Sequence, residues 1–278
     1  LPALHAAERV VAERIAALSS GTPPWRRTAA AAAVPWVEER TGITLSASQR
    51  EAVGAFLRSK VLVLTGGPGV GKTTLVDALL RIVFAESLRI ALAAPTGRAA
   101  KRLSESTRME AKTIHRLLEV DPSTGRFRRG RENPLEADLV VVDEVSMVDV
   151  LLARSLLEAM PPHAALLLVG DADQLPSVGP GQVLRDLLES GAVAAVRLTE
   201  VFRQAAESRI VVGAHRIREG HLPDLSNPEG TDLFFFDARE PEDAARRVVE
   251  VVSERIPRRF GLDPRRDVQV LVPVHRGP

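Results

Sequence analysis

A chain of 278 residues, 45% hydrophobic and 26% charged, is long enough to bury a real core in one large domain or two smaller ones. Its net charge of +1 excludes a global basic field, so any contact with nucleic acid must come from local arginines. The absence of cysteine excludes disulfides and thiolate metal sites and is compatible with a reducing cytosol, and no apolar run approaches the roughly 18 residues of a membrane span.

Leu4, Ala7, Val10, Val11, Ile15 and Leu18 recur at helical spacing, and Ser19-Ser20-Gly21-Thr22-Pro23-Pro24 ends that helix. An alanine-rich helical stretch follows to about Arg40, and residues 1–44 read as an accessory packing segment without chemistry. Ser46-Ala47-Ser48-Gln49 is a capping box that starts the next helix. The short apolar runs 61–64, 90–93, 139–142, 165–169 and 194–198 are separated by helical stretches, which predicts an α/β fold with a parallel sheet covered by helices on both faces. Polar and glycine residues follow each run, so the carboxyl edge of the sheet is expected to carry the ligands. Residues 119–138 break the pattern; Asp121-Pro122-Ser123-Thr124-Gly125 is a turn signal, and a small β-hairpin insertion is expected there. Later come Leu233-Phe234-Phe235-Phe236, a charged helix from about Glu240 to Arg255, and the strand-like run 268–272. These suggest a main domain over 45–232, with 233–278 holding its remainder and the start of a second α/β unit. The chain starts at Leu1 rather than Met and stops at Pro278 just after a strand-like run, so a piece of a longer protein is expected.

The chemistry centres on Gly66-Gly67-Pro68-Gly69-Val70-Gly71-Lys72-Thr73-Thr74, which follows an apolar strand and precedes a helix. This is the P-loop pattern: Gly67, Pro68, Gly69, Val70 and Gly71 curl backbone N–H groups around phosphate, Lys72 reaches the β- and γ-phosphates, and Thr73 takes a Mg²⁺ position beside Thr74. Val140-Val141-Val142-Asp143-Glu144 sets two carboxylates at a strand end, Asp143 suited to the Mg²⁺ shell and Glu144 to polarising water. A strand-end acid alone also reads as a helix cap, but with a P-loop in the same sheet the catalytic role is the better account.

Asp143 to Asp149 and Gly170 to Gly181 resemble motifs II and III of superfamily 1 helicases of the RecD-like class. The other pieces follow in order: Gln49 resembles the Q motif, Gly66 to Thr73 motif I, Ala94 to Ala100 motif Ia, Thr113 to Leu118 motif Ib, and Val201-Phe202-Arg203-Gln204 motif IV. The match covers about residues 45 to 205 and, more loosely, 273–278. The resemblance implies a RecA-like P-loop domain using ATP and Mg²⁺, with Gln49 reading the adenine edge, its capping role being the plainer alternative. It implies Gln174 as a γ-phosphate sensor and Arg203 as a guanidinium on that phosphate, against a loop amide and a surface ion pair. It implies a single-stranded DNA track along Pro95, Thr96, Gly97, Arg98, Thr113, His115, Val178, Gly179 and Pro180, with a structural histidine the alternative for His115. Arg126, Phe127 and Arg128 on the hairpin form either a strand-separating pin or a solvated turn.

The expected activity is ATP-dependent DNA unwinding with 5′→3′ movement on single-stranded DNA in repair or recombination, in the bacterial cytoplasm, with DNA junctions and other repair proteins as partners and no membrane. The alternatives are a motor subunit of a helicase-nuclease complex, or a P-loop switch that binds DNA without unwinding it. The later motifs of the family, including the arginine finger of its second RecA-like domain, are not found in this sequence, and losing such a finger costs about 10³ to 10⁵ in rate.

Overall fold

Strand β1 (Val61–Gly66) is buried at every position, as a strand with both faces covered must be. The computed structural model describes residues 2–25, 30–200 and 207–272. They fall into two compact units, Leu1–Glu207 and Ser208–Pro278. The first holds α1 (Pro2–Ser19), α2 (Ala30–Thr41), α3 (Ala47–Arg58), β1, α4 (Lys72–Phe84), β2 (Ile90–Ala94), α5 (Gly97–Thr107), β3 (Ala111–Thr113) and α6 (Ile114–Leu117). It continues with β4 (Leu139–Val142), a 3₁₀ turn at Val145–Met147, α7 (Val150–Ala159), β5 (Ala165–Gly170), α8 (Val183–Ser190) and β6 (Ala194–Leu198). The strands form one six-stranded sheet in the order β3-β2-β4-β5-β1-β6, every pairing parallel. This is the helix-covered parallel sheet expected of a RecA-like domain.

Alternation along the strands divides the core in two. Val61, Val63, Val140, Val142, Leu166 and Leu168 face one cluster with residues of α1, α7 and α8. Leu62, Leu64, Leu139, Val141, Ala165, Leu167 and Val169 face the other with residues of α3 and α4. The N-terminal helices belong to this core. Ala7, Val11, Ile15 and Leu18 of α1 pack into the first cluster, and the Arg14 guanidinium donates to Leu157 O (3.0 Å) and Met160 O (2.7 Å) at the end of α7. On the other face, Trp25 stacks on Phe56 of α3 with centroids 4.5 Å apart, alongside Ala33 and Val37 of α2.

Strand β3, with only three residues and no apolar run, was not visible in the sequence pattern; it forms because Ala111, Lys112 and Thr113 pair with Leu92, Ala93 and Ala94. The expected hairpin is present as a minimal one. Asp121 N donates to Arg126 O (2.8 Å), Gly125 turns with φ 69°, and a single antiparallel bridge joins Val120 to Phe127.

In the second unit, Ser208 caps α9 (Arg209–Arg218), and the Arg209 guanidinium gathers the following loop through Asp224 O (3.0 Å), Ser226 O (2.8 Å) and Thr231 Oγ1 (3.1 Å). Helix α10 (Pro241–Glu250) runs through a π turn, Val251–Arg255, into α11 (Ile256–Phe260). The apolar run 233–236 and the strand-like run 268–272 form no strand among the described residues. The Asn227 side chain takes both Phe235 N and Phe235 O (2.8 Å each), the groups a neighbouring strand would need, and the Phe234 ring rests edge-on against Phe260.

Candidate nucleotide site and strand-end loops

Because every strand runs the same way, the loops after β1, β2, β3, β4 and β5 emerge on one edge of the sheet. The P-loop leaves β1 with Gly69 at φ 77° and Gly71 at φ 75°, conformations that glycine adopts without a Cβ penalty. Gly71 is the N-cap of α4, so the positive end of a 13-residue helix points at the loop, and Thr73 and Thr74 lie exposed on its first turn. Gly66 has no room for a side chain: a Cβ would stand 2.8 Å from Leu198 O of the adjacent β6. The Lys72 ammonium donates to Gly66 O (2.6 Å) and Gly67 O (2.9 Å), folded over the loop it is to serve.

Asp143 and Glu144 follow β4 in the same sheet. Burial pushes both carboxyls above their ordinary values; Asp143 pushes Glu144 further, and Lys72 and Arg102 pull both back. Asp143 accepts from Glu144 N (2.9 Å), and Glu144 sits at φ 55°, a left-handed conformation uncommon for a residue with a side chain. Two desolvated carboxyls under a lysine suit a divalent cation, which removes their burial cost. Among the described residues no group of three or more His, Cys, Asp or Glu gathers to hold a metal alone. Mg²⁺ takes one or two protein oxygen ligands and completes its shell with phosphate and water, and Thr73 and Asp143 carry oxygen donors of that kind.

Gln49, on α3, is 1% exposed; Oε1 accepts from Ser46 N (3.1 Å) and Nε2 donates to Val70 O in the P-loop (3.3 Å). An amide has two donors and two acceptor lone pairs, and these two contacts take one of each. Cap and P-loop contact coexist in one side chain. Gln174 is exposed, and it lines a polar cavity of about 210 Å³ with Ser146, Asp171, Gln182 and Arg185. Asp171 is 3% exposed, and Ala172 N donates to Thr65 Oγ1 (3.2 Å), tying the end of β5 to that of β1. Arg203 lies outside the described residues, as do the rest of 201–206 and 273–278.

Pro95 and Thr96 follow β2, where Thr96 caps α5 through Ala99 N (3.2 Å), leaving Gly97 and Arg98 exposed. Thr113 ends β3 and caps α6 through Arg116 N (3.2 Å). The turn Val178-Gly179-Pro180 docks on α7, Pro180 O accepting from Val150 N (2.9 Å), and Val178 projects with 107% exposure. His115 is exposed, its ring centroid 5.7 Å from that of Phe127, and Phe127 packs partly buried against the core. The hairpin's exposed tip is therefore Pro122 to Gly125, with Arg126 and Arg128 exposed at its base.

Two residues take structural roles that the sequence did not assign to them. Asp149 caps α7 through Leu152 N (2.8 Å) and stands under Gly179, where a Cβ would come within 2.7 Å of its Cγ; an acid before Val150-Leu151-Leu152 was a legible cap signal. Glu200, one of the polar residues that follow the run 194–198, contacts Ser46 and Ser48 across more than 150 positions, and no local pattern marks that contact.

Comparison with known proteins follows the same lines. A family model described as an AAA domain matches residues 49–180. The ATP-dependent RecD2 DNA helicase of Deinococcus radiodurans is 39% identical over 279 residues, which cover 100% of this chain and 36% of that protein. The RecBCD enzyme subunit RecD of Mycobacterium tuberculosis is 42% identical over 238 residues, 77% of this chain and 40% of that one. The ATP-dependent DNA helicase dda of phage T4 is 35% identical over 127 residues, 44% of this chain and 29% of that one. The chain thus spans less than half the length of each of these relatives.

Proposed function

We propose that this chain, RecD-like across its length, is the nucleotide-binding motor part of an ATP-dependent DNA helicase. The observation that carries the reading is the juxtaposition, on one sheet edge, of the P-loop lysine Lys72 with the buried carboxyls Asp143 and Glu144. Backbone N–H groups of Gly67 to Gly71 and the start of α4 cradle the phosphates, and Lys72 swings from Gly66 O and Gly67 O to the β- and γ-oxygens. Thr73 and Asp143 would hold Mg²⁺, which when bound would neutralise phosphate charge. Glu144, its carboxyl raised by burial, takes the proton of the attacking water. Gln49 reads adenine, and Gln174 and Arg203 sense the γ-phosphate. Pro95 to Arg98, Thr113, His115 and Val178 to Pro180 line the DNA track. Sheet order supports a mechanical link: β4 lies between β2, which carries part of the track, and β5, which neighbours the P-loop strand.

Substituting Glu144 with Gln separates a motor from a switch. Turnover is expected to fall by about 10²- to 10⁴-fold with Mg·ATP binding retained; a variant that hydrolyses as fast as the parent overturns the role. The chain itself is expected to bind Mg·ATP. The whole protein is proposed to move 5′→3′ on single-stranded DNA, and likeness to a RecBCD subunit favours a second setting, as a motor with obligate partners. Strand displacement by the complete protein alone decides between them.

The hairpin is proposed as the strand-separating pin, with Arg126 and Arg128 as its basic flanks and Phe127 as its inner support. Removing only Pro122 to Gly125 spares Phe127 and Arg129. Unwinding is expected to drop while single-strand translocation persists; undiminished unwinding rules the pin out.

A further inference from the structure

Glu200 stands two residues beyond Leu198, which pairs with Gly66 at the mouth of the P-loop. Its carboxylate accepts from the Ser48 hydroxyl, from Ser48 N (3.2 Å), from the Ser46 hydroxyl (3.2 Å) and from the Thr199 hydroxyl (3.2 Å). Ser46 and Ser48 form the first turn of α3, where an anion is favoured by the free N–H groups and the helix dipole. One residue further on is Gln49, whose amide ends on Val70 O. Hydrogen bonds therefore run from the end of β6 through the start of α3 into the middle of the P-loop.

We propose that Glu200 is a positioning residue of the nucleotide loop: it anchors the first turn of α3 and, through Gln49, holds Val70 in the shape that Mg·ATP requires. Three features support this. The Ser48 hydroxyl, chief among these donors, pulls the Glu200 carboxyl down to about 2, so the anchor is charged throughout the neutral range. Ser48 and Gln49 are both buried, so water replaces neither contact without opening the turn. Val70 is itself 2% exposed and packed in the core, so the Gln49 contact joins the start of α3 to a fixed point of the loop. The nucleotide half of this inference rests on the proposed ATP site; the loop half does not.

The test has two readouts on this chain. In the nucleotide-free state, Glu200→Ala is expected to speed amide hydrogen exchange at least about 5-fold across residues 46–52 and 66–72 while β5 amides keep their rates. Unchanged exchange at 66–72 overturns the proposal. With mant-ATP and Mg²⁺ as the probe, Glu200→Ala is expected to weaken binding about 5- to 10-fold, and Gln49→Ala by at least that factor, since it also removes the proposed adenine contact. The double variant should bind no worse than Gln49→Ala alone, because Glu200 acts only through Gln49; fully additive losses overturn the positioning role, since a general loss of structure adds. Glu200→Gln, which keeps one acceptor, is expected to recover part of the affinity. If Glu200→Ala fails to fold, Ser48→Ala removes one donor alone and should move both readouts in the same direction. Lys72→Ala is the control: if parent and Lys72→Ala bind the probe equally, the ATP site fails, and hydrogen exchange alone decides the loop half.

Discussion

Asp143 and Glu144 carry a cost that the rest of the fold absorbs. Their carboxyls are raised above the ordinary 3.8 and 4.5 by burial, so the folded chain binds protons more tightly there than the unfolded chain does. The sign follows: across the window from those ordinary values up through the raised ones, the folded state holds more protons, and stability falls as pH rises. Asp138 acts oppositely. Arg89 holds it below its ordinary value, so its contribution is present above that value and lost as pH falls. Replacing Asp143 with Asn and Glu144 with Gln together is expected to raise the melting temperature of the nucleotide-free chain at pH 7, each kcal/mol gained adding about 2–4 °C. The gain should shrink toward pH 4. A variant melting at or below the parent at pH 7 overturns this account. The identities of these two residues were legible in sequence from the strand before them and the P-loop upstream; the left-handed turn at Glu144 was not, because it depends on how the strand end meets the 3₁₀ turn that follows.

At the scale of elements, the strand-end loops interlock. The turn at Val178 to Pro180 rests on the N-terminus of α7, whose cap Asp149 closes the segment that begins at Asp143. Gly179 is glycine because Asp149 fills the space a Cβ would take. Gly179→Ala is therefore expected to cost about 1–3 kcal/mol, the usual range for an overpacked site, and to lower the melting temperature by about 2–4 °C for each kcal/mol. Gly97→Ala is its control: a Cβ there meets nothing within 4 Å, and stability should hold or rise. Equal losses in both variants would show that the packing of Gly179 on Asp149 is not what matters. Five of the six strands announced themselves as apolar runs, because a parallel strand buried on both faces has few other compositions open to it. Strand β3 and the Glu200 anchor stayed hidden for one reason: each is defined by partners far along the chain, and neither has a periodicity of its own.

Across the whole chain, the apolar burial is unevenly distributed. Every buried apolar side chain among the described residues lies at or before Leu198, and α10 and α11 bury none of their residues. The run 268–272 reads as a strand from composition, yet composition does not supply the neighbouring strand that a ladder needs, and at the apolar run 233–236 Asn227 takes the hydrogen bonds of Phe235. Local opening should follow the same division, since segments with little apolar burial open at low free energy. Hydrogen exchange of the native chain is expected to be slowest in β1, β4 and β5 and faster by orders of magnitude in 241–260. Mg·ATP at about 100 times its dissociation constant adds about 2.7 kcal/mol to whatever must unfold to release it. That increment should appear as slower exchange of the β1, β4 and β5 amides that open only with the nucleotide site, with no change at 241–260. Equal slowing in both units would mean that they unfold as one, and slowing in neither would place the nucleotide elsewhere or nowhere on this chain.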